Sequence, residues 1–176
     1  MREGNSPRVE CEVHVEADPD RVWELVTDIE LPARFSPELQ RVRWLDGADR
    51  LGLGARFEGH NCNQALGQWR TVSQVVELEA PRAFAWAVLD PDGRYGNGAT
   101  DPQAPMATWR FDLTPAAGGT RLRHAARLGP ARSGLDLAIE DIPDKEDAII
   151  EHRLADLRAA MQETLHGIKA LAEQSR

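Results

Sequence analysis

The pattern of hydrophobic and polar positions along this chain changes from a period of two to a period of three to four. Odd-numbered positions from Val9 to Val15 are apolar and even-numbered ones are polar, which predicts a β-strand with one buried face. In the segment ADPDRVWELVTD that follows, Asp18 can cap a helix that begins at Pro19. The segment LPARFS predicts a second short helix, after which the chain becomes extended at Pro37.

Residues 39 to 127 form short alternating runs between turn-rich segments, which predicts six more strands in hairpin order. The predicted strands are 39–45, 53–62, 68–79, 82–89, 106–114 and 119–127. Two longer connections interrupt the series. The connection 90–105 is rich in Gly, Pro, Asp and Asn and predicts a loop. The connection 128–142 carries larger apolar side chains, so we expect it to pack inward, and a short helix is one form it can take.

A single apolar stripe runs along the last predicted element, from Pro143 to about Ala172. Its members recur at steps of three and four: Ile150, Leu154, Leu157, Met161, Leu165, Ile168 and Leu171. Because an α-helix turns about 100° per residue, these side chains share one face. Such a helix would be about 45 Å long. An isolated helix is marginal in water, so we expect the stripe to pack against the rest of the chain.

Together these elements predict an α+β fold in one domain that spans residues 1–176. An antiparallel sheet of seven strands curls under its own twist. The long amphipathic helix is the remaining element able to fill the concave side. We therefore expect a seven-stranded curved antiparallel sheet wrapped around a long C-terminal helix, with two short helices after the first strand.

Four segments covering nearly the whole chain carry a family resemblance: ADPDRVWELVTDIELPARFSPEL; GLGARFEGHN followed by GQWRTVSQVVELEAPRAFAW; GGTRLRHAARLGP; and the terminal helix with SGLDLAIEDIPDKE before it. They resemble the START-like or SRPBCC superfamily of helix-grip (Bet v 1-like) proteins, specifically its bacterial polyketide cyclase/dehydrase-like branch. The resemblance implies a deep, largely apolar cavity between sheet and helix, used to hold a lipid, polyketide or other hydrophobic small molecule. It identifies a fold more closely than a substrate.

The phase of each predicted strand indicates which side chains would line such a cavity. We favour the phase in which Trp69 and Ser73 point inward, and a slip of one residue would turn each set outward. The predicted ligand-binding residues are Phe57, Trp69, Ser73, Trp86, Trp109, Leu135, Leu137, Leu157 and Met161. Leu135 and Leu137 would belong to a lid formed by the two long connections. The tryptophans can also be ordinary core residues, and the sequence leaves both interpretations open.

His124 is the predicted catalytic residue, together with Asn61 and Tyr95. A histidine that lines a cavity could abstract a proton next to a ketone, while Asn61 or Tyr95 stabilised the enolate oxygen. An ordinary hydrogen-bonded strand histidine is the alternative. Folding a poly-carbonyl chain so that one carbon lies near one carbonyl needs few catalytic groups. A cyclase or dehydratase and a non-catalytic carrier or sensor therefore both remain open, and a protein-interaction module ranks third.

The composition of the chain limits the kinds of partner and cofactor that we expect. The 29 acidic and 21 basic residues give a net charge of −8, which disfavours nucleic acid and anionic lipid. Cys11 and Cys62 are too few and too widely spaced for a disulfide framework or a metal site. Zinc, nucleotide-loop and serine-hydrolase motifs are absent, so we expect no metal and no cofactor. No apolar run is long enough for a membrane span, and we expect a cytoplasmic protein. An exposed edge strand makes a homodimer reasonable.

Overall fold

The computed structural model describes residues 6–64, 67–96 and 98–174. Its strands are β1 (Arg8–Val15), β2 (Leu39–Trp44), β3 (Arg56–Asn63), β4 (Gly67–Glu79), β5 (Ala83–Leu89), β6 (Ala107–Ala116) and β7 (Gly119–Leu128). Its α-helices are α1 (Pro19–Val26), α2 (Gly134–Asp141) and α3 (Glu146–Glu173), with 3₁₀ turns at Leu31–Arg34 and Pro143–Lys145. Among the described residues, no helix is long and apolar enough to cross a bilayer.

The seven strands form one antiparallel sheet in the order β1-β7-β6-β5-β4-β3-β2. Strands β2 to β7 follow one another as a meander, whereas β1 pairs with β7 at the far end of the sequence. α3 packs mainly on β1 and α1. The α+β fold predicted from the sequence, with a seven-stranded sheet and a long C-terminal helix, is confirmed.

The strand register places the predicted inward side chains on one face of the sheet. Phe57 lies opposite Ser73, and Asn61 lies opposite Trp69. Across the centre of the sheet, Trp86 pairs with Trp109 and Phe111 pairs with His124. This face packs against α3, since the main core joins Phe57, Phe84, Phe111 and Leu122 to Leu165 and Ile168. The phase chosen from the sequence is therefore the observed one.

Two element boundaries differ from the prediction by three residues, and the other strand ends agree within two. Strand β3 begins at Arg56 and not at 53, because Gly54 has a φ of 80° and the Ala55 N–H donates to the Gly52 carbonyl, which forms a turn. The long helix begins at Glu146, since Pro143 opens a 3₁₀ turn and not the α-helix itself. The short helix allowed for in residues 128–142 is α2. A capping box of Ser133 and Asp136 stabilises its start.

The C-terminal half of α3 is held close to the short helices. A side chain added at Gly167 would lie 2.5 Å from the ring of Phe35, just after the first 3₁₀ turn. Glycine at this position therefore lets Phe35 lie directly on the helix backbone. Leu157, Met161, Leu165 and Ile168 of the predicted stripe are all buried. Leu165 and Ile168 flank Gly167 in the main core and Phe35 packs against that core, so the protein's own side chains fill this region.

Candidate functional site

An aromatic cluster lies on the helix-facing side of β5, β6 and β7. The rings of Trp86 and Trp109 are stacked, with centroids 6.4 Å apart and planes inclined by 9°. His124 lies between Trp109 and Phe111, at centroid distances of 5.2 and 4.0 Å. These side chains meet because each occupies an inward position of neighbouring strands in register. Of the predicted site, the sheet thus brings together Trp86, Trp109 and His124.

The protonation state of His124 follows from its surroundings. Its side chain is buried, with 5% of its surface exposed, and Nδ1 lies 3.0 Å from the carbonyl oxygen of Arg110. Because a carbonyl only accepts, Nδ1 carries the proton and Nε2 is an acceptor. Burial lowers the pKa of His124 to about 4, although the bond to the Arg110 carbonyl acts in the opposite direction. The imidazole is therefore neutral at pH 7, with the lone pair on Nε2.

The two tryptophans of the cluster are less buried than the rings beside them. Phe84 and Phe111 are each 2% exposed, whereas Trp86 and Trp109 are half-buried. Trp109 also packs against the core formed by Val9, Ala126, Leu157 and Met161. The predicted residues Leu157 and Met161 thus lie beside Trp109 as core residues. The tryptophan pair therefore forms an accessible margin beside almost fully buried phenylalanine rings.

The predicted residues of β3 and β4 lie farther along the sheet. Phe57 is buried, with its ring edge-on to Trp44 at 5.8 Å, and Ser73 is buried beside it in the register. Asn61 donates from Nδ2 to the Gly59 carbonyl at 3.4 Å. Asn61 and Trp69 are among the residues that line a cleft of about 440 Å³ at the ends of β2, β3 and β4.

A second cleft, of about 370 Å³, lies along the N-terminal half of α3 and includes Ile150 and Leu154. His124, Trp86 and Trp109 line neither of these two clefts. The deep cavity implied by the family resemblance stays a prediction. The aromatic cluster and the clefts must be considered separately.

Tyr95 lies where the two long connections, which are predicted to form a lid, contact each other. Its ring lies against Gly134, 3.4 Å from where a side chain would begin, and burial raises the pKa of its hydroxyl. Its backbone N–H donates to Oδ2 of Asp90 at 3.0 Å. The same connections also meet where the Ala131 N–H donates to the Pro105 carbonyl. Leu135 is buried in α2 and Leu137 is half-buried.

The three predicted catalytic residues are not hydrogen-bonded to one another. Asn61 bonds Gly59, and His124 bonds Arg110. The Tyr95 hydroxyl instead interacts electrostatically with Arg94, Asp90 and Arg153. An enolate oxygen held jointly by these groups would require them to approach a common ligand. Their catalytic roles stay predictions.

Three polar groups important to this region were not identified from the sequence. The carbonyl of Arg110 orients His124, and no side-chain pattern can reveal a backbone acceptor. Glu58 is fully buried on the other face of the sheet, where it bonds Arg43 and Arg70 from neighbouring strands. Asp90 is buried and anchors the Tyr95 turn, with Oδ1 unpaired among the described residues. Its position, directly before a Pro- and Gly-rich loop, was the available signal.

Comparison with known structures places this fold among polyketide-cyclase-like proteins. The solution structure of a polyketide-cyclase-like protein from Corynebacterium glutamicum is 27% identical, with a TM-score of 0.64 over 96% of this chain and 93% of its own. The Zhui aromatase/cyclase from Streptomyces is 19% identical, with a TM-score of 0.66 over 97% and 95% of the two chains.

The di-domain ARO/CYC protein StfQ of the steffimycin biosynthetic pathway is 16% identical, with a TM-score of 0.70 over 96% of this chain and 51% of its own. The likeness to Zhui and StfQ shows the shared fold. No curated protein matches the sequence significantly. The model of one sequence family matches residues 6–173, and the chain therefore belongs to the polyketide cyclase/dehydrase and lipid transport family.

Proposed function

We propose that this protein binds a hydrophobic small molecule, polyketide-like or lipid-like, at the margin formed by Trp86 and Trp109. The observation that carries the proposal is the incomplete burial of this stacked pair on the helix-facing side, beside rings that are almost fully buried. Half-buried aromatic faces offer a large apolar contact to a planar or chain-like ligand. Membership of a family described by polyketide cyclases and lipid transport supports the same ligand class.

The two long connections support ligand entry at this end of the sheet. Helix α2 packs on α3, and Gly134 at its start contacts Tyr95 of the other connection. Two of the predicted ligand-binding residues, Leu135 and Leu137, lie on α2. Movement of α2 would expose the aromatic margin without disturbing the sheet. Trp69 and Asn61, at the neighbouring strand ends, would contact a longer ligand.

Tryptophan fluorescence with a neutral apolar probe tests the proposal. N-phenylnaphthylamine should bind saturably and quench the emission of the wild-type protein. Trp109→Phe should weaken this binding several-fold, because the smaller ring loses part of the contact. Trp23→Phe is the matched control and should leave binding unchanged. Helix α1 lies near the start of β7, where Thr120 donates to the Ala17 carbonyl, whereas Trp109 pairs with Ala126 near the end of that strand. Equal effects of both substitutions, or no saturable binding, would refute the proposed site. Native mass spectrometry of protein from its own host would identify the natural ligand class.

The second candidate function is catalysis of cyclisation or dehydration of the bound molecule. It is supported by His124, which lies next to the tryptophan pair. Its imidazole is neutral, and Nε2 carries no proton and can accept a hydrogen bond. A histidine of pKa about 4 is a weak base, so accepting a hydrogen bond from an enol or hydroxyl fits it better than full proton abstraction.

Turnover of a poly-carbonyl mimic by His124→Phe separates the catalyst from the carrier. Phenylalanine replaces the imidazole with an aromatic ring that has no acceptor in place of Nε2. Loss of turnover with unchanged probe binding would support catalysis. Wild-type protein that binds the mimic without converting it would support the carrier function.

A further inference from the structure

The outer face of the sheet, opposite the aromatic cluster, carries a row of basic side chains. Arg41 of β2 pairs with His60 of β3, and His60 pairs with Arg70 of β4. Side chains that are directly opposite on adjacent strands lie about 5 Å apart at Cβ. Three nitrogen-rich groups therefore form a continuous line across three strands. The guanidinium groups of Arg41 and Arg70 carry like charges on either side of His60, and a partner of opposite charge would offset their repulsion.

Carboxylates of the protein itself offset part of this positive charge and fix the positions of His60 and Arg70. Glu58 is fully buried beneath the row and bonds Nε2 of His60 at 2.9 Å and Nη1 of Arg70 at 3.0 Å. Asp92 bonds the Nε and Nη2 atoms of Arg70 at 3.0 and 2.6 Å. Arg43 also bonds Glu58. These carboxylates hold His60 and Arg70 in place before any ligand arrives.

Donors remain available in the row after these bonds are made. Arg70 has five N–H groups and uses three of them on Glu58 and Asp92. Nδ1 of His60 has no partner among the described residues, and it is an acceptor while Nε2 donates to Glu58. Arg41 is exposed, and within the described chain no hydrogen bond or ion pair involves its side chain. The charge of Arg41 is therefore uncompensated.

The row borders the cleft of about 440 Å³. Gln40 and Gln68 add amide groups to its lining, and none of the described residues that line it is acidic. The cleft is thus lined by basic and neutral side chains, although the net charge of the chain is −8. A register shift between Leu39 and Arg41 places Gln40 in a bulge, a feature that re-aims side chains at sheet edges.

We propose that the cleft bordered by Arg41, His60 and Arg70 binds a compact anionic group, a phosphate or a carboxylate. Guanidinium groups bind both through charge-assisted hydrogen bonds. The row of Arg41, His60 and Arg70 lies on the opposite face of the sheet from the tryptophan pair, although Asn61 and Trp69 also line the cleft. The site goes beyond the proposed function and does not depend on it.

Nuclear magnetic resonance titration of ¹⁵N-labelled protein with sodium phosphate, at ionic strength held constant with sodium chloride, tests this site. Saturable shifts are expected at the amides of Arg41, His60 and Arg70. Arg41→Gln should weaken the apparent Kd about tenfold, the usual effect of losing a hydrogen bond to a charged group. Arg121→Gln is the matched control, because Arg121 is an exposed, outward arginine of β7 in the row of His14 and Thr114. It should leave the Kd unchanged.

Further titrations with acetate and with phenyl phosphate identify the anion. Saturation by either phosphate or acetate, dependent on Arg41, supports the site. Tighter binding of phenyl phosphate than of inorganic phosphate would indicate that the anion is the end of a larger molecule, and equal binding would indicate a free ion. Shifts that grow linearly with every anion, or equal losses in Arg41→Gln and Arg121→Gln, would overturn the proposal.

Discussion

The imidazole of His124 lies flat against the ring of Phe111, with centroids 4.0 Å apart and planes inclined by 9°. The ring orientation is fixed a second time by the bond from Nδ1 to the Arg110 carbonyl. A face contact with an apolar ring and a single carbonyl partner give little solvation to a charged imidazole. This pairing thus sets the tautomer of His124 and disfavours its protonation.

The free energy of unfolding should therefore depend on pH through His124. In the folded state its pKa is about 4, below the ordinary value of about 6.5. Between these values the unfolded chain binds a proton that the folded chain does not, so stability falls as pH falls from about 6.5 to about 4. The full loss is about 3 kcal/mol. Urea unfolding at a series of pH values measures it.

His124→Leu should flatten this slope, whatever its effect on stability at pH 7. His152→Gln is the control, since His152 is exposed on α3 with 81% of its side chain accessible. The slope should persist in that variant. A wild-type slope that survives in His124→Leu would assign the pH dependence to other groups.

Leu135 and Leu137 should separate stability from ligand binding. Leu135 is buried, so Leu135→Ala should lower the free energy of unfolding by about 2–3 kcal/mol. Leu137 is half-buried, and Leu137→Ala should cost about 1 kcal/mol or less. If α2 covers the ligand, Leu137→Ala should still weaken N-phenylnaphthylamine binding several-fold. Denaturant unfolding and probe titration of both variants provide the comparison, and unchanged probe binding in Leu137→Ala would exclude a lid role.

Glu58→Gln should destabilise the fold by about 2 kcal/mol, because a buried carboxylate with charged donors is replaced by a neutral amide. The hydrogen bond from His60, with those from Arg70 and Arg43, lowers the pKa of Glu58 to about 2 against the effect of burial. Its charge is therefore present throughout the neutral range. Glu10→Gln, which removes an exposed partner of Arg123, should change stability by less than about 1 kcal/mol. Similar losses in the two variants would show that burial of Glu58 has little energetic importance.

Gly167→Ala should be destabilising by about 1–3 kcal/mol through overpacking against Phe35. An ordinary glycine-to-alanine change inside a helix would instead stabilise by about 1 kcal/mol. Adding Phe35→Leu should recover part of the loss, because the smaller side chain leaves room for the methyl group. Thermal unfolding of the single and double variants gives the coupling. Stabilisation by Gly167→Ala alone would mean that Phe35 moves aside at no cost.

The strand phases could be predicted from the sequence because apolar and polar residues alternate along a strand that has one buried face. His124 and Trp109 were placed on the correct face for that reason. Burial of Glu58 could not be predicted in the same way, since it depends on Arg43, Arg70 and His60 meeting across three strands in one register. The contact of Tyr95 with Gly134 joins two irregular connections, where no periodicity constrains the path.

The pairing of β1 with β7 also determines the order in which the fold can be completed during synthesis. Val9 pairs with Ala126, so the first strand made must wait for a partner that the ribosome adds more than 110 residues later, after roughly ten seconds. The part of the meander from β2 to β6 can form by local hairpins in the meantime. Until β7 and α3 emerge, the apolar side of β1 has no permanent cover, and it is the segment of the nascent chain most in need of protection by a chaperone.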